Sequence, residues 1–325
     1  MKVKVDIISG FLGAGKTMLI KKLIEEKLYK DKIVIIENEF GEVGIDGAIL
    51  KRSNLAVKEI NAGCICCTVN GNFKAAVKEA INQYSPSRII IEPSGVGKLS
   101  EIIDLCKSQE LKNLIQINMK ITVVDVLKYN IYIQNFNEFY KDQILNASTV
   151  VLSRTQKVKS DKLDKLTKDI SDINNGAVIV TTPWNSLSGI RIAEIAENSK
   201  EQSFKEQLKK FKISSVNSNI KLKKTSSLVN RHNADEIFQT WGIETSKVFS
   251  KNRLKDIFNN AEKENMFGYI LRAKGIVQVE EAKWIQFDYV PGELQIKNTT
   301  ADYSGKLCVI GNNLNKNMLY KILIE

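Results

Sequence analysis

Hydrophobic positions in the first 200 residues follow a repeating rhythm. A short, almost continuous apolar run gives way to a longer stretch with apolar residues three and four apart, and the pair then recurs. Continuous runs suit strands buried on both faces; the three-four spacing suits helices that bury one stripe. Strands are predicted at 2–8, 32–37, 88–92, 120–126, 149–152 and 177–181. Helices are predicted at 18–29, 73–84 and 137–147. Two more begin at Ser100 and Ser160, each read as an N-cap, and carry Ile102, Ile103, Leu105 and Cys106, and Leu163, Leu166 and Ile170. Regular alternation of this kind specifies an α/β fold, a mostly parallel sheet flanked by helices. Ligands of such sheets gather at the carboxyl ends of the strands.

The rhythm stops at Lys200. Residues 200–224 are rich in Lys, Gln, Ser and Asn and read as a linker. Beyond them 226–249 looks extended, 252–263 helical, and 269–279, 284–290, 293–297 and 306–310 strand-like, with Pro291-Gly292 turning the second of these strands into the third. A helix at 315–324 closes the chain. The expected organisation is therefore an α/β domain over 1–200, a linker over 201–224, and a smaller C-terminal α+β domain over 225–325. A chain of 325 residues suits two cores.

Composition narrows the class. Hydrophobic content of 43% with 26% charged residues is that of an ordinary globular protein, and no apolar run reaches membrane-spanning length. The first residues are already strand-like and leave no room for a signal peptide, so a cytoplasmic location without a membrane partner is expected. Net charge is +11. The lysines are spread over amphipathic helices and the linker, with no basic block interleaved with aromatics, which disfavours nucleic acid as a partner. Three of the five cysteines, Cys64, Cys66 and Cys67, fall within four residues. That clustering points to metal or redox chemistry rather than a disulfide framework.

The first strand runs directly into Gly10-Phe11-Leu12-Gly13-Ala14-Gly15-Lys16-Thr17. This is the G-x-x-x-x-G-K-[ST] pattern, and a strand before it with a helix after it is the context the pattern requires. The glycines let successive N–H groups of Gly13, Ala14 and Gly15 turn into one concavity, and the helix adds the positive end of its dipole. Lys16 reaches the β- and γ-phosphates, and the Thr17 hydroxyl can take Mg²⁺. Glu92, at the end of an apolar strand before Pro93-Ser94-Gly95, is the expected carboxylate partner for Mg²⁺ or the attacking water, with Asp125 as its rival. The stretch from Glu37 to Asp46, including Glu39 and Glu42, is acidic and follows a strand, where NTPases sense the γ-phosphate. Glu39 is a candidate for positioning the water.

Gly63-Cys64-Ile65-Cys66-Cys67 supplies three thiolates at C-x-C-C spacing, soft donors that prefer Zn²⁺, Cu⁺ or iron–sulfur centres. Three sulfurs leave a fourth position for Glu37, Glu42, water or a partner's ligand. An incomplete set of this kind suits transfer better than permanent structure. Cys106 and Cys308 are expected in the core, and His232, the one histidine, in a structural or interface role.

Taken together, the P-loop, Glu37-Asn38-Glu39-Phe40-Gly41-Glu42-Val43, the C-x-C-C set and Glu92-Pro93-Ser94-Gly95 resemble the CobW-type family of metal-chaperone GTPases, in that family's order. The resemblance implies a P-loop NTPase domain, a C-terminal α+β domain, binding of GTP and GDP with Mg²⁺, and hydrolysis coupled to delivery of Zn²⁺ or Co²⁺ to a client metalloprotein. By position it implies Cys64, Cys66 and Cys67 as metal ligands, joined by Glu37 and Glu42. The reading leaves a homo-oligomer open.

One stretch departs from the pattern. Where the family reads guanine with Asn-Lys-x-Asp, this chain has Ser153-Arg154-Thr155-Gln156. Gln156 offers one neutral carbonyl in place of a carboxylate, a difference of about 1.5–3 kcal/mol. Arg154 keeps a flat cation for the base, and Thr181-Thr182-Pro183-Trp184 falls where the last base-contacting loop would lie. The alternative is therefore a nucleotide-binding, metal-responsive regulatory protein with negligible turnover or relaxed purine specificity. A third reading, a P-loop kinase for a small metabolite, has no use for the thiolates.

Overall fold

The computed structural model describes residues 2–26, 32–38, 56–60, 70–199, 237–264, 267–280, 283–301 and 304–324. Seven strands form one sheet: β1 (Val3–Gly10), β2 (Ile33–Asn38), β3 (Ala56–Ile60), β4 (Arg88–Glu92), β5 (Ile115–Asp125), β6 (Thr149–Ser153) and β7 (Val178–Val180), in the order β3-β2-β4-β1-β5-β6-β7. Every pairing in it is parallel. The central strands are apolar on both faces because helices cover both. On one side α1 (Lys16–Glu25) and a helix over 189–199, α7, bury Leu19, Ile20, Leu23, Ile192 and Ala196 against Ile8, Ile35, Ile90 and Val123. On the other, α2 (Asn70–Tyr84), α3 (Leu99–Cys106), α4 (Tyr129–Asn135), α5 (Asn137–Leu145) and α6 (Ser160–Ile173) pack on Val5, Ile7, Val34, Ile36, Ile89 and Ile91.

A polar cluster anchors α7 beneath the sheet. Arg88 Nη1 donates to Asp6 Oδ2 at 2.7 Å and to Glu197 Oε1 at 3.0 Å. Asn118 Nδ2 donates to the same two carboxylates at 2.8 and 2.9 Å. Burial raises the Asp6 carboxyl above its ordinary value despite the Arg88 charge. Glu197, less deeply placed, feels the same burial, but hydrogen bonds from Asn118 and Arg88 outweigh it and hold the group low.

The C-terminal domain is a five-stranded antiparallel sheet of β8 (Gln239–Thr245), β9 (Tyr269–Glu280), β10 (Lys283–Val290), β11 (Glu293–Thr299) and β12 (Gly305–Asn312), in the order β11-β10-β9-β12-β8. α8 (Lys251–Glu264) and α9 (Lys316–Leu323) cover one face with Leu254, Phe258, Leu319 and Leu323. The other face joins the first core. Phe238, Leu271, Cys308 and Ile310 belong to the same apolar cluster as Phe11, Phe136 and Phe139.

The α/β pattern read from hydrophobicity matches this architecture, and several details differ from it. β3, α4 and α7 were not expected, and β5 begins at Ile115 rather than Lys120. Lys98 and Lys159, not Ser100 and Ser160, occupy the N-cap positions of α3 and α6. Ser100 lies in the first turn of α3, where its N–H is taken by Asp142 Oδ1 at 3.0 Å. At α9 the N-cap is Asn315, whose side chain accepts a hydrogen bond from the Met318 N–H. The expected linker over 201–224 lies outside the described residues.

Candidate nucleotide and metal site

β1 ends in the P-loop because its last residues must turn sharply under the first turn of α1. Gly15, at φ +108°, is the N-cap of α1, and no side chain caps that helix. A helix N-terminus left to its own backbone donors is an anion site. Gly13 takes φ +69°, and a Cβ there would stand 2.5 Å from Val290 Cγ1. Its glycine is thus required twice, by backbone conformation and by close approach of the C-terminal domain. Ala14 is buried.

Lys16 is only 5% exposed, and its ammonium lies 4.0 Å from Glu92 Oε1. Thr17 Oγ1 donates to the same carboxylate, at 3.0 Å to Oε1 and 3.3 Å to Oε2. Glu92 is the last residue of β4, and Glu37 stands directly beside it in the β2–β4 register, buried to 2% exposure. The carboxyl edge of the sheet therefore collects Lys16, Thr17, Glu37 and Glu92. The hydroxyl and carboxylate are hard oxygen donors, the kind Mg²⁺ takes.

Asp125 plays a different part from Glu92. Its Oδ1 accepts the Leu127 N–H at 2.9 Å, and its Oδ2 is paired with Arg154 Nη1. Burial raises its carboxyl above the ordinary value, against the pull of the Arg154 charge. Arg154, at φ +61°, also donates from Nη1 to Gly13 O at 3.1 Å, and its Nη2 lies 3.1 Å from Glu293 Oε2. Ser153 Oγ reaches Val124 O at 3.5 Å. Thr155 is buried, and Gln156 is exposed in the short 3₁₀ turn Thr155–Lys157. Trp184 donates from its indole N–H to Leu152 O at 3.1 Å, with its ring edge 3.1 Å from where a Cβ on Gly15 would be.

Of the residues singled out from sequence, the structure brings Gly13, Ala14, Gly15, Lys16, Thr17, Glu37 and Glu92 together at one edge, with Ser153, Arg154 and Gln156 on the neighbouring loop. Glu39, Glu42, Cys64, Cys66, Cys67 and His232 lie outside the described residues. Among the described residues there is no group of three or more His, Cys, Asp or Glu side chains able to hold a metal. Cys106 and Cys308 are buried, and burial pushes the Cys106 thiol up to about 12. Val290, Lys128 and Glu293 went unnoticed in the sequence. The Pro291-Gly292 turn was legible, but nothing in the local pattern tells where such a turn docks.

Both domains of the chain are similar to known proteins. Residues 4–181 match the model of the CobW/HypB/UreG nucleotide-binding domain, and residues 238–325 match that of the cobalamin synthesis protein CobW C-terminal domain. The zinc chaperone YeiR of Escherichia coli is 33% identical over 154 residues, 47% of either chain. The zinc chaperone CobW of Pseudomonas aeruginosa is 28% identical over 52% of this chain and 53% of its own. The chain thus matches about half the length of these curated relatives. A solved structure of the Zn(II)-bound YjiA GTPase from E. coli superposes with a TM-score of 0.45 at 17% identity, over 99% of this chain and 98% of that one. With both models matched in order along a P-loop α/β domain and an antiparallel C-terminal domain, the chain belongs to the CobW/HypB/UreG family.

Proposed function

We propose that this protein is a GTP-hydrolysing metallochaperone that carries a transition metal, zinc first and cobalt second, to a client metalloprotein. The observation that carries the nucleotide half of the reading is the Thr17–Glu92 pair at 3.0 Å, with the Lys16 ammonium beside it at the mouth of the P-loop. The zinc-chaperone names of the curated relatives support the metal half.

Gly13, Ala14, Gly15 and Lys16 bind the polyphosphate through backbone N–H groups and one ammonium. Thr17 and Glu92 fit Mg²⁺, which when bound neutralises charge on the β- and γ-phosphates. Glu92 orients the hydroxyl of Thr17 and orders the water that attacks, and Glu39 is proposed to position it. Charge placement and orientation carry most of such a reaction. Ser153, Arg154 and Gln156 face the base. The cargo metal is the second substrate, held by Cys64, Cys66 and Cys67 with Glu37 and Glu42. Glu37 lies beside Glu92 in strand register, so a carboxylate of the cargo site is adjacent to one of the nucleotide site. That adjacency is the proposed route by which hydrolysis alters the metal's ligand set.

The test is a paired titration of the reduced protein with GTP and ATP, each with Mg²⁺, with and without one equivalent of Zn²⁺ or Co²⁺. Preferential GTP binding with a metal-dependent shift in affinity or turnover is expected. Equal binding of both nucleotides with no response to metal would overturn the chaperone reading. Tight, metal-sensitive binding without turnover would favour the regulatory alternative, which the exposed Gln156 at the base-facing turn makes worth separating.

A further inference from the structure

The turn between β10 and β11 reaches back to the P-loop. Val290, its last strand residue, packs on Gly13, and Lys128 donates its ammonium to Pro291 O. Glu293, the first residue after the turn, meets Arg154 Nη2 at 3.1 Å, in a pair whose side chains are 20% and 28% exposed. Arg154 is therefore held from three elements: Gly13 O in the P-loop, Asp125 at the end of β5, and Glu293 in the C-terminal domain. The first two hold Nη1 and the third holds Nη2, so the planar guanidinium is anchored at both terminal nitrogens, which restrains its plane more tightly than contacts on Nη1 alone.

Resting on the nucleotide-binding reading above, we infer that Glu293 is a positioning residue of the nucleotide site, fixing the plane of the Arg154 guanidinium that faces the purine. The β10–β11 hairpin is then part of that site, although it comes from the far end of the chain. This matters most in a chain whose base-reading loop lacks its aspartate. With Gln156 neutral and exposed, a well-oriented Arg154 carries a larger share of the base contact.

A carboxylate near a polyphosphate also repels it, so a loss of charge alone predicts tighter binding of anything phosphorylated. Positioning predicts an effect on the nucleoside part only. The experiment measures equilibrium binding of GTP and of inorganic tripolyphosphate, both with Mg²⁺, to the full chain and to Glu293→Gln, Glu293→Asp, Arg154→Lys and the Arg154→Lys/Glu293→Gln double variant. Glu293→Gln is expected to weaken GTP relative to tripolyphosphate by about threefold to tenfold. Glu293→Asp should recover part of that loss. The double variant should be no weaker than Arg154→Lys alone, because the two residues act as one unit. Equal shifts for GTP and tripolyphosphate, or losses that multiply in the double variant, would overturn the assignment. So would a parent chain that gains nothing from guanosine over tripolyphosphate, while leaving phosphate binding intact. A parent chain that binds neither ligand would overturn the nucleotide reading itself.

Discussion

Thr17 donates its hydroxyl to Glu92 across 75 residues of sequence, at 3.0 Å, and so ties the first turn of α1 to the end of β4. The same carboxylate lies 4.0 Å from the Lys16 ammonium, so the three side chains form one cluster at the end of the P-loop. Glu92→Gln keeps the size and one acceptor but loses the charge. Turnover should fall by about a hundredfold, with little change in nucleotide affinity measured without Mg²⁺. Steady-state hydrolysis assays against Mg²⁺ concentration check this, and unchanged turnover would remove Glu92 from the chemistry.

Gly13→Ala should destabilise the whole molecule. An added methyl meets Val290 Cγ1 at 2.5 Å, and the backbone at φ +69° is strained for any residue with a Cβ. A cost of roughly 1–3 kcal/mol is expected. The double variant Gly13→Ala/Val290→Ala should recover only the part due to the clash. Urea denaturation of the parent, both single variants and the double variant separates the two contributions, and a double variant as stable as Val290→Ala alone would show that φ contributes nothing.

Much of the first domain can be read directly from residue order. Buried parallel strands advertise themselves as unbroken apolar runs, and the P-loop is a local pattern with a local cause. β3 is hard to read because Ala56-Val57-Lys58-Glu59-Ile60 is short and carries two charges in five residues, and an edge strand does not need an apolar outer face. The helix starts at Ser100 and Ser160 were misplaced by a residue or two because lysines at 98 and 159 take the N-cap position without a side-chain cap. The Arg154–Asp125–Glu293 arrangement was unreadable for a different reason. Its members are separated by 29 residues on one side and well over a hundred on the other, and no periodicity encodes a contact between domains.

Acid should loosen α7 from the sheet. Glu197 has its carboxyl held below its ordinary 4.5: burial pushes upward, but hydrogen bonds from Asn118 and Arg88 win. A lowered carboxylate contributes stability that is present above the unfolded value and lost as pH falls through the folded one. Asp6, raised above 3.8 by burial, works in the opposite direction, favouring the fold as it is protonated. The difference in urea midpoint between the parent and Glu197→Gln should therefore be largest near neutrality and shrink below about pH 4.5. A difference that stays constant down to pH 3 would mean that Glu197 contributes by packing alone.

The five cysteines should divide cleanly. Cys106 is 2% exposed with its thiol pushed up to about 12, so it should resist alkylation at pH 8 in the native protein and react only after denaturation. Cys66→Ala should abolish stoichiometric zinc while sparing nucleotide binding, and Cys106→Ala should leave the zinc content unchanged. Metal analysis with native and denatured thiol counts tests the division, and zinc retained at one equivalent in Cys66→Ala would sink the proposed ligand set.

Phe11 lies inside the P-loop, yet its ring is fully buried among Tyr132 at 4.6 Å, Phe136 at 5.4 Å, Tyr140 at 5.6 Å and Phe238 at 6.2 Å. Phe238 in turn packs on Phe139 at 5.1 Å, and Tyr269 of β9 on Phe136 at 6.1 Å. Pulling the two sheets apart would strip this ring cluster and wet the underside of the P-loop. Heating should accordingly melt both sheets in a single cooperative transition, with calorimetric and van't Hoff enthalpies in agreement, rather than releasing the antiparallel sheet first.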